Sequence, residues 1–188
     1  MSLDRREAVK RLLADRGEML VVTGLGSPTY DVAAAGDDDR NFYLWGAMGS
    51  AALIGLGLAV AQPAKRVLVV TGDGELLMGL GGLASIAAQR PDNLAIVVLD
   101  NERYGETGMQ KSHTAHGTDL AAVAQGCGFP RVTTVTDESE LDRTIRDIRS
   151  AEGPMLAVIK VTASEAPRVL PSRDGVEIKN RFRKAIGI

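Results

Sequence analysis

Two oxygen-bearing side chains follow two strongly apolar segments of the chain, and both are of types that bind hard cations. Asp73 lies in the run GDGE, directly after VLVVT (67–71), and Asn101 follows AIVVL (95–99) and one further residue. Mg²⁺ is commonly shared between one or two protein oxygen ligands and the phosphate oxygens of its substrate. The sequence therefore predicts a magnesium site that also holds a phosphorylated ligand.

The glycines on either side of Asp73 favour a phosphate beside it. Gly72 and Gly74 let the backbone turn tightly and approach a ligand closely. The residues from Glu75 onward have the apolar spacing of a helix, and the first turn of a helix presents free N–H groups to phosphate. We therefore expect a strand, a tight turn and a helix N-terminus at this point.

The two apolar segments have the pattern of buried parallel strands. Both are rich in β-branched residues without polar alternation, which is typical of strands covered by helices on both faces. The segment ELLMGLGGLASIAAQ (75–89) predicts one helix as the crossover between them. Ligands of open α/β sheets bind outside the carboxyl ends of the strands, so Asp73 and Asn101 are expected on one rim of the sheet.

Helical and extended patterns alternate along the whole chain, which predicts a single domain over residues 1–188. The expected fold class is α/β, a doubly wound parallel sheet with helices on both faces. A C-terminal arm over 167–188 is expected to lie on the surface and to end in a short helix. The remaining predicted strands are 19–23, 42–45, 131–135 and 155–161.

Polar residues predict where three of the helices begin. Ser27 is expected to cap a helix that has Pro28 at its first position. Asp119 is expected to cap the helix LAAVAQ, and Asp137 with Glu140 forms the pattern of a capping box.

Composition excludes several classes of partner. The chain has 188 residues, 45% of them hydrophobic and 24% charged, with a formal net charge of −2 and no long run of one sign. That balance gives no electrostatic reason to expect nucleic acid or an anionic membrane surface as a partner. The longest apolar stretch, 47–61, is too short for a membrane span and is expected to be a buried helix.

The single cysteine and the N-terminus both point to the cytoplasm. Cys127 has no second cysteine with which to form a disulfide, which suits a reducing compartment, and it is expected to be a small buried hydrophobe. The segment MSLDRREAVKRLL lacks the uninterrupted apolar core of a signal peptide.

The GDG run and Asn101, separated by residues 75–100, are similar to the thiamine-diphosphate motif of the decarboxylase and acetolactate synthase superfamily. The resemblance covers nearly the whole chain and implies its diphosphate-binding domain, with thiamine diphosphate and Mg²⁺ as cofactors. It implies that Asp73, Asn101 and the carbonyl of Arg103 ligate the metal, and that the amides around Gly74 and Glu75 contact the diphosphate. The cofactor-binding residues that it implies are Gly46, Met48, Gly72, Asp73, Gly74, Glu75, Asn101, Arg103, Tyr104 and Gly105.

The run LWGAMGSA matches a second feature of that superfamily. There, a bulky apolar residue in a glycine-rich turn wedges the cofactor into its bent shape, and Met48 lies where that residue is expected. The resemblance implies that the carbonyl of Gly46 receives the amino group of the aminopyrimidine, and that Met48 has a mechanical part in catalysis. Without the resemblance, a methionine in this position is more often a core residue.

The run DNERYGETGMQKSHT resembles sulfopyruvate and phosphonopyruvate decarboxylases more narrowly. The matching residues are Asn101, Tyr104, Gly105, Thr107, Gly108 and Gln110. The likeness implies a decarboxylase of a small 2-oxo acid that carries a sulfonate or phosphonate. Glu102 and Glu106 depart from the pattern, because that family has small residues there and two more carboxylates are unfavourable beside a dianionic substrate.

In this superfamily a glutamate on a separate pyrimidine-binding domain activates the cofactor, and this chain is too short for a second such domain. Glu7 lies in the first helical segment and Glu18 lies just before the first strand, so neither is at a suitable loop. We therefore expect a partner subunit to supply the glutamate, in an oligomer whose active sites lie between unlike chains. A carboligase of the acetolactate synthase type and a cofactor-binding module without catalysis are the alternatives.

Two further features are candidates with simpler explanations. The loop Gly24-Leu25-Gly26-Ser27 resembles the start of a dinucleotide loop but lacks the third glycine, so it is a helix cap or a second contact to the diphosphate. His113 and His116 are the two histidines of the chain and lie after the metal-binding turn. They are either ordinary surface residues or catalytic residues that move a proton or meet an acid group of the substrate.

Overall fold

The computed structural model describes residues 3–150 and 152–188, which form helices and strands that alternate along the chain. In chain order the elements are α1 (Arg5–Leu13), β1 (Leu20–Thr23), α2 (Ser27–Ala35), β2 (Asn41–Tyr43), α3 (Ala51–Ala61), β3 (Val67–Gly72), α4 (Asp73–Met78), α5 (Gly82–Gln89), β4 (Leu94–Asp100), β5 (Arg103–Tyr104), β6 (Gln110–Lys111), α6 (Leu120–Cys127), β7 (Arg131–Val135), α7 (Glu138–Ser150), β8 (Met155–Lys160) and α8 (Gly175–Ala185).

Six of the strands form one parallel sheet in the order β2-β1-β3-β4-β8-β7. The short strands β5 and β6 form a separate antiparallel hairpin. The predicted α/β fold with a parallel sheet is confirmed. The strand order reverses between β1 and β3, and the crevice beyond such a reversal is where ligands bind in open α/β sheets.

Alternate residues of the central strands bury against helices on opposite faces of the sheet. Leu68 and Val70 of β3 belong to a core with residues of α1, α2 and α7. Val67 and Val69 belong to a second core with residues of α3, α5 and α6. Because both faces are covered, the strands need apolar side chains at every position, which explains their unbroken apolar runs.

The register of β3 and β4 brings the segments that carry Asp73 and Asn101 to the same edge of the sheet. Gly72 pairs with Leu99, so Asp73 and Asp100 leave the sheet side by side. The next residue along β4, Asn101, therefore lies close to Asp73, as the spacing predicts.

The crossover from β3 to β4 corrects the prediction of one helix over 75–89. It consists of two helices, α4 and α5, that are interrupted at 79–81. At Gly79 a side-chain Cβ would lie 1.8 Å from the carbonyl oxygen of Gly49. The helix is interrupted here because the backbone of the loop at Gly49 lies directly against Gly79.

Two other predicted boundaries also differ from the structure. Strand β2 ends at Tyr43, two residues before the predicted end. Helix α2 is capped by Gly26 and already includes Ser27, which makes no side-chain capping bond. Gly26 has a φ of 81°, a conformation that favours glycine, so the turn before α2 is made by the backbone.

The later helix caps agree more closely with the sequence. The carboxylate of Asp119 accepts from the backbone N–H of Ala122 at 3.0 Å. Asp137 accepts from the N–H of Glu140 at 2.9 Å, while Glu140 accepts from the N–H of Thr136 at 2.7 Å. In a capping box Glu140 would accept from the N–H of Asp137, so the observed donor, Thr136, lies one residue earlier in the chain.

The C-terminal segment is more firmly attached than a surface arm. Ile178 and Phe182 of α8 are buried, and the ring of Phe182 contacts the ring of Phe42 edge to face at 5.5 Å. Arg181 donates to both carboxylate oxygens of Asp37. Within residues 3–150 and 152–188, no helix is both long enough and apolar enough to cross a membrane. Cys127 is partly buried rather than fully buried.

Candidate functional site

A cavity of about 390 Å³ lies at the carboxyl ends of β1, β3 and β4. Every residue that the resemblance implies for cofactor binding lines it, apart from Gly46, which is exposed. Those lining residues are Met48, Gly72, Asp73, Gly74, Glu75, Asn101, Arg103, Tyr104 and Gly105. Sequence segments that are far apart in the chain therefore meet around one space.

Asp73, the first residue of α4, is buried at the cavity floor with 1% of its surface exposed. Its Oδ2 accepts from the hydroxyl of Ser112 at 2.5 Å and lies 3.1 Å from the hydroxyl oxygen of Thr114. Burial raises the pKa of the Asp73 carboxyl, while the hydrogen bond from Ser112 favours the carboxylate and the Asp100 charge opposes it. These hydroxyls fix the orientation of the carboxylate.

Asp100 carries a second buried carboxylate at the same level, and this one is neutralised by its own partner. The Nζ of Lys160 donates to its Oδ2 at 2.7 Å, and the hydroxyl of Thr114 donates to its Oδ1 at 2.8 Å. Burial alone would lower the pKa of Lys160, but bonds to Asp100 and Glu102 outweigh it and raise that pKa. Thr114 thus bridges the two carboxylates, and Asp73 is left as the one whose charge a cation can use.

Asn101 begins a tight turn just beyond β4. Its Oδ1 accepts from the backbone N–H of Arg103 at 3.0 Å, and Glu102 between them has a left-handed φ of 61°. An amide oxygen has two lone pairs, so this bond leaves one for another ligand. The turn holds the amide against the cavity and brings the backbone of Arg103 to the same wall.

The oxygen donors around the cavity fit a magnesium ion that is shared with a phosphate ligand. The donors at the ends of β3 and β4 are the carboxylate of Asp73, the amide of Asn101 and the backbone at Arg103. Among the described residues, no cluster of three or more histidine, cysteine or acidic side chains could hold a metal alone. A set this small suits Mg²⁺, which keeps ligand phosphate oxygens and waters in its octahedron.

Gly74 lets the hairpin of β5 and β6 fold over α4. A Cβ at Gly74 would lie 2.5 Å from Cε1 and 2.6 Å from Cδ1 of the Tyr104 ring. The ring therefore lies directly on the backbone at the start of α4, and both residues line the cavity. Only glycine permits that approach at this position.

Met48 lies at the cavity wall in a turn of unusual backbone geometry, and 40% of its surface is exposed. Ala47 and Gly49 on either side have φ angles of 52° and 92°. The carboxylate of Glu75 accepts from the backbone N–H of Gly49 at 2.8 Å and of Ala51 at 3.1 Å. A buried side chain on α4 thus holds the turn that presents Met48.

This role of Glu75 is one that the sequence did not indicate. The resemblance implies only that its backbone amide contacts the diphosphate. Its buried carboxylate also accepts a hydrogen bond from the hydroxyl of Thr71. Ser112 and Thr114, which orient Asp73, were also missed. A local signal for them exists, because they follow the metal-binding turn as small hydroxyl residues, but their partners are distant in sequence.

The loop before α2 contributes Leu25, Ser27 and Pro28 to the cavity wall. At Gly24 a Cβ would lie 2.7 Å from the hydroxyl oxygen of Thr71, so this loop packs tightly on β3. No side chain caps α2, which leaves the amides of its first turn available to a ligand. Its role as a second contact to the diphosphate stays a prediction.

His113 and His116 lie in a single 3₁₀ turn and are both exposed outside the cavity lining. The Nδ1 of His113 is 3.2 Å from the hydroxyl of Tyr104. His113 is thus connected to the cavity through a ring that lines it. A proton-transfer role for either histidine stays a prediction.

The two glutamates that depart from the family pattern have partners that reduce their repulsion of an anion. Glu102 does not line the cavity, and its Oε1 is 3.2 Å from the Nζ of Lys160. Glu106 does line it, with Oε2 at 3.4 Å from the Tyr30 hydroxyl and 3.8 Å from Nη2 of Arg168.

Known proteins are similar to this chain both in sequence and in fold. It is 40% identical over 186 residues to the sulfopyruvate decarboxylase subunit beta of Methanothermobacter thermautotrophicus. The aligned region covers 99% of this chain and 97% of that one. It is 37% identical over 185 residues to the phosphonopyruvate decarboxylase of Streptomyces viridochromogenes, covering 95% of this chain and 45% of that one.

A solved structure confirms the fold. The benzoylformate decarboxylase of Polynucleobacter necessarius superposes with a TM-score of 0.77 at 20% identity, over 89% of this chain and 34% of that one.

The family described as thiamine pyrophosphate enzyme, C-terminal TPP binding domain, matches residues 30–159. That range includes Met48, Asp73, Asn101 and the elements that position them. The resemblance that was drawn from the GDG run and Asn101 is confirmed. This chain belongs to the family of thiamine pyrophosphate enzymes and corresponds to their C-terminal TPP-binding domain.

Proposed function

We propose that this chain is the diphosphate- and magnesium-binding subunit of a heteromeric thiamine-diphosphate-dependent decarboxylase. Its substrate is a 2-oxo acid with a second acid group, sulfopyruvate or phosphonopyruvate. The observation that carries the proposal is the meeting of Asp73, Asn101 and the first turn of α4 around one cavity. The names of the relatives support the choice of substrate, as does the near-complete overlap with the sulfopyruvate decarboxylase beta subunit.

The residues of this chain have defined tasks in that proposal. Asp73, Asn101 and the carbonyl of Arg103 hold Mg²⁺, and the amides at Gly74 and Glu75 hold the diphosphate. When bound, thiamine diphosphate supplies the electron sink that decarboxylation of a 2-oxo acid requires. The ring of Tyr104 packs on the start of α4 in the wall of the cavity.

Met48 is proposed to hold the two rings of the cofactor in the bent shape. Its turn is preset by the carboxylate of Glu75 and by the packing of Gly49 on Gly79. A preset wedge loses little entropy when the cofactor binds, which favours one conformer of the ligand. Gly46 lies two residues earlier in the same loop and would offer its carbonyl to the aminopyrimidine.

The activating glutamate is proposed to come from a partner subunit with a pyrimidine-binding domain. Two glutamates of the described residues line the main cavity. Glu75 is occupied with backbone amides of the Met48 turn, and Glu106 faces Tyr30 and Arg168. Neither is free to bind the pyrimidine ring. Several relatives are themselves named as beta subunits, which supports a partner.

Exposed apolar side chains in the cavity wall support a docking place for that partner. Met48 and Met78 both line the cavity and expose 40% and 56% of their surfaces. Exposed large apolar groups beside a cavity are typical of a protein interface. A partner that covers this apolar rim, Met48 and Met78, would lie directly beside the cavity.

The proposal is tested by reconstitution with the candidate pyrimidine-domain subunit. Release of carbon dioxide would be measured from sulfopyruvate, phosphonopyruvate and pyruvate, with thiamine diphosphate and Mg²⁺ present. We expect release from one of the first two acids, little from pyruvate, and none with Asp73→Asn. Formation of a coupled hydroxy-oxo acid instead of carbon dioxide release alone would identify a carboligase. A complex that binds the cofactor but turns over none of the acids would identify a cofactor-binding module without catalysis.

A further inference from the structure

A buried arginine stands in the wall of the cavity, apart from the strand ends that carry the motif. Arg5, the first residue of α1, has 9% of its side chain exposed. It lines both the main cavity and a neighbouring one of about 50 Å³. Ser27 and Asn101 also line both, so Arg5 lies beside the proposed metal and diphosphate site.

The charges around Arg5 do not cancel. Its Nε donates to Oδ2 of Asp31, a fully buried carboxylate, and the Nε of Arg6 donates to Oδ1 at 3.1 Å. One carboxylate therefore holds two guanidinium groups, and the cluster has an excess of one positive charge. Arg6 lines neither cavity, so the excess charge is presented to the ligand space by Arg5.

The free donors of Arg5 point to an anionic ligand. Among residues 3–150 and 152–188, its two terminal nitrogens have no acceptor, because Asp31 engages only Nε. A guanidinium fork with two free terminal NH₂ groups matches two oxygens of a phosphate or sulfonate. Because Arg5 lines both cavities, an anion that enters them can reach this fork.

The start of α2 adds neutral donors beside the fork. Helix α2 has nine residues and no side-chain cap, and its first residue, Ser27, lines both cavities. Free amides at a helix N-terminus and a hydroxyl both favour oxyanions. Glu106 is the acidic residue that lines both cavities, and its carboxylate faces Tyr30 and Arg168.

We propose that Arg5, Ser27 and the amino end of α2 form a subsite for a terminal tetrahedral oxyanion. The subsite rests on the proposed function, since it lies in the cofactor cavity and would complete its anion recognition. The terminal phosphate of the cofactor and the sulfonate or phosphonate of the substrate share this chemistry. Arg6 has a different task, which is to keep Asp31 paired.

Titration of the full chain with inorganic phosphate and with methanesulfonate tests the subsite without cofactor or metal. The readouts are the NMR shifts of the Ser27 amide and of the Arg5 Nε–H. We expect saturable shifts at both, and an affinity that falls about tenfold to a hundredfold with Arg5→Met. Arg5→Lys should recover part of the loss, because it keeps the charge but not the fork.

Arg6→Met is the matched control, because it also removes one guanidinium from Asp31. It should retain the phosphate response of the parent chain. If Arg5→Met does not fold, Ser27→Ala removes one donor without touching Asp31, and it should weaken phosphate several-fold at the Arg5 Nε–H. An unshifted Ser27 amide in the parent, or equal affinity in the parent and Arg5→Met, would overturn the proposal.

Calorimetry with Mg²⁺ then identifies the source of the oxyanion. If it is the cofactor's terminal phosphate, Arg5→Met weakens thiamine diphosphate by about tenfold to a hundredfold and leaves thiamine monophosphate unchanged. If it is the substrate's acid group, thiamine diphosphate binds equally well to the parent and to Arg5→Met. A parent that binds no thiamine diphosphate, either alone or with the pyrimidine-domain subunit, contradicts the proposed function alone, because the phosphate titration still decides the subsite.

Discussion

At the scale of single residues, the side chain of Glu75 connects the two halves of the site. It belongs to the helix that begins at Asp73, and its carboxylate accepts the backbone N–H groups of Gly49 and Ala51. The metal side of the cavity and the turn of Met48 are thus joined by one buried group. A change at Glu75 should therefore affect the shape of the cofactor site without removing any ligand of the metal.

Glu75→Met keeps the approximate size of this side chain but removes both acceptor oxygens. A buried N–H that loses its acceptor costs about 1–3 kcal/mol. We expect a loss of at least that size in the free energy of unfolding, measured with urea, together with altered NMR shifts of Gly49 and Ala51. Glu18→Met, at an exposed ion pair with Lys65, is the control and should change stability little. Unchanged shifts at the turn would contradict this role of Glu75.

The close packing of the Tyr104 ring on Gly74 can be tested by its effect on stability. Gly74→Ala would place a methyl group 2.5 Å from the tyrosine ring, and overpacking of this kind costs about 1–3 kcal/mol. The cost should shrink when Tyr104→Ala is made in the same chain, because the ring that collides is gone. Urea unfolding of the two single variants and the double variant gives the coupling. Additive losses would show that the ring is not the obstacle.

At the scale of elements, the parallel strands β3 and β4 explain why so much of the site was predictable. Their apolar runs are read directly from the sequence, and their register brings Asp73 and Asn101 together at the rim. The positions of the motif therefore follow from local patterns and one general rule about parallel sheets. The predicted fold is confirmed for the same reason.

The features that were missed depend on contacts between distant segments. The break between α4 and α5 follows from the approach of Gly49 to Gly79, and neither glycine signals it alone. Glu75 resembles an ordinary acidic residue of a first helical turn until its partners are known. Arg5 lies in an amphipathic helix at the N-terminus, where the sequence indicates only a solvated charge. Local periodicity does not contain information of this kind.

Helix α8 is held to the body of the molecule by an ion pair that depends on pH. The two bonds from Arg181 lower the pKa of Asp37, which also accepts from the Tyr43 hydroxyl. A carboxylate whose pKa is lower in the folded state stabilises the fold above its unfolded value of 3.8, and that contribution is lost as pH falls. The attachment of α8 should therefore weaken in acid.

Asp37→Asn tests this attachment. The variant should be less stable than the parent at neutral pH, and the difference should shrink as pH falls through the lowered pKa of Asp37. Urea unfolding at neutral pH and near pH 3, with hydrogen exchange of the α8 amides, measures both parts. Asp39→Asn is the control, since its carboxylate is 4.0 Å from Arg181 and exposed. A difference that persisted undiminished in acid would contradict the pairing.

At the scale of the whole molecule, the apolar rim of Met48 and Met78 is an exposed part of the cavity wall. Met78 lines the cavity and is more than half exposed, whereas Val60 is equally exposed on α3 without lining it. If the partner covers the rim, Met78→Asp should weaken assembly by at least tenfold and Val60→Asp should weaken it less. Association would be followed by light scattering or calorimetry with the pyrimidine-domain subunit. Equal effects of the two variants would place the interface elsewhere.

We propose that this chain binds thiamine diphosphate through a magnesium ion at Asp73 and Asn101. Calorimetric titration of thiamine diphosphate, with and without Mg²⁺ and repeated with the partner subunit present, is the measurement that decides this. We expect that binding requires Mg²⁺, is lost in Asp73→Asn and Asn101→Ala, and is kept in Asp39→Asn, with all variants folded. Binding that ignores Mg²⁺ or survives both substitutions would contradict it, as would no binding even with the partner.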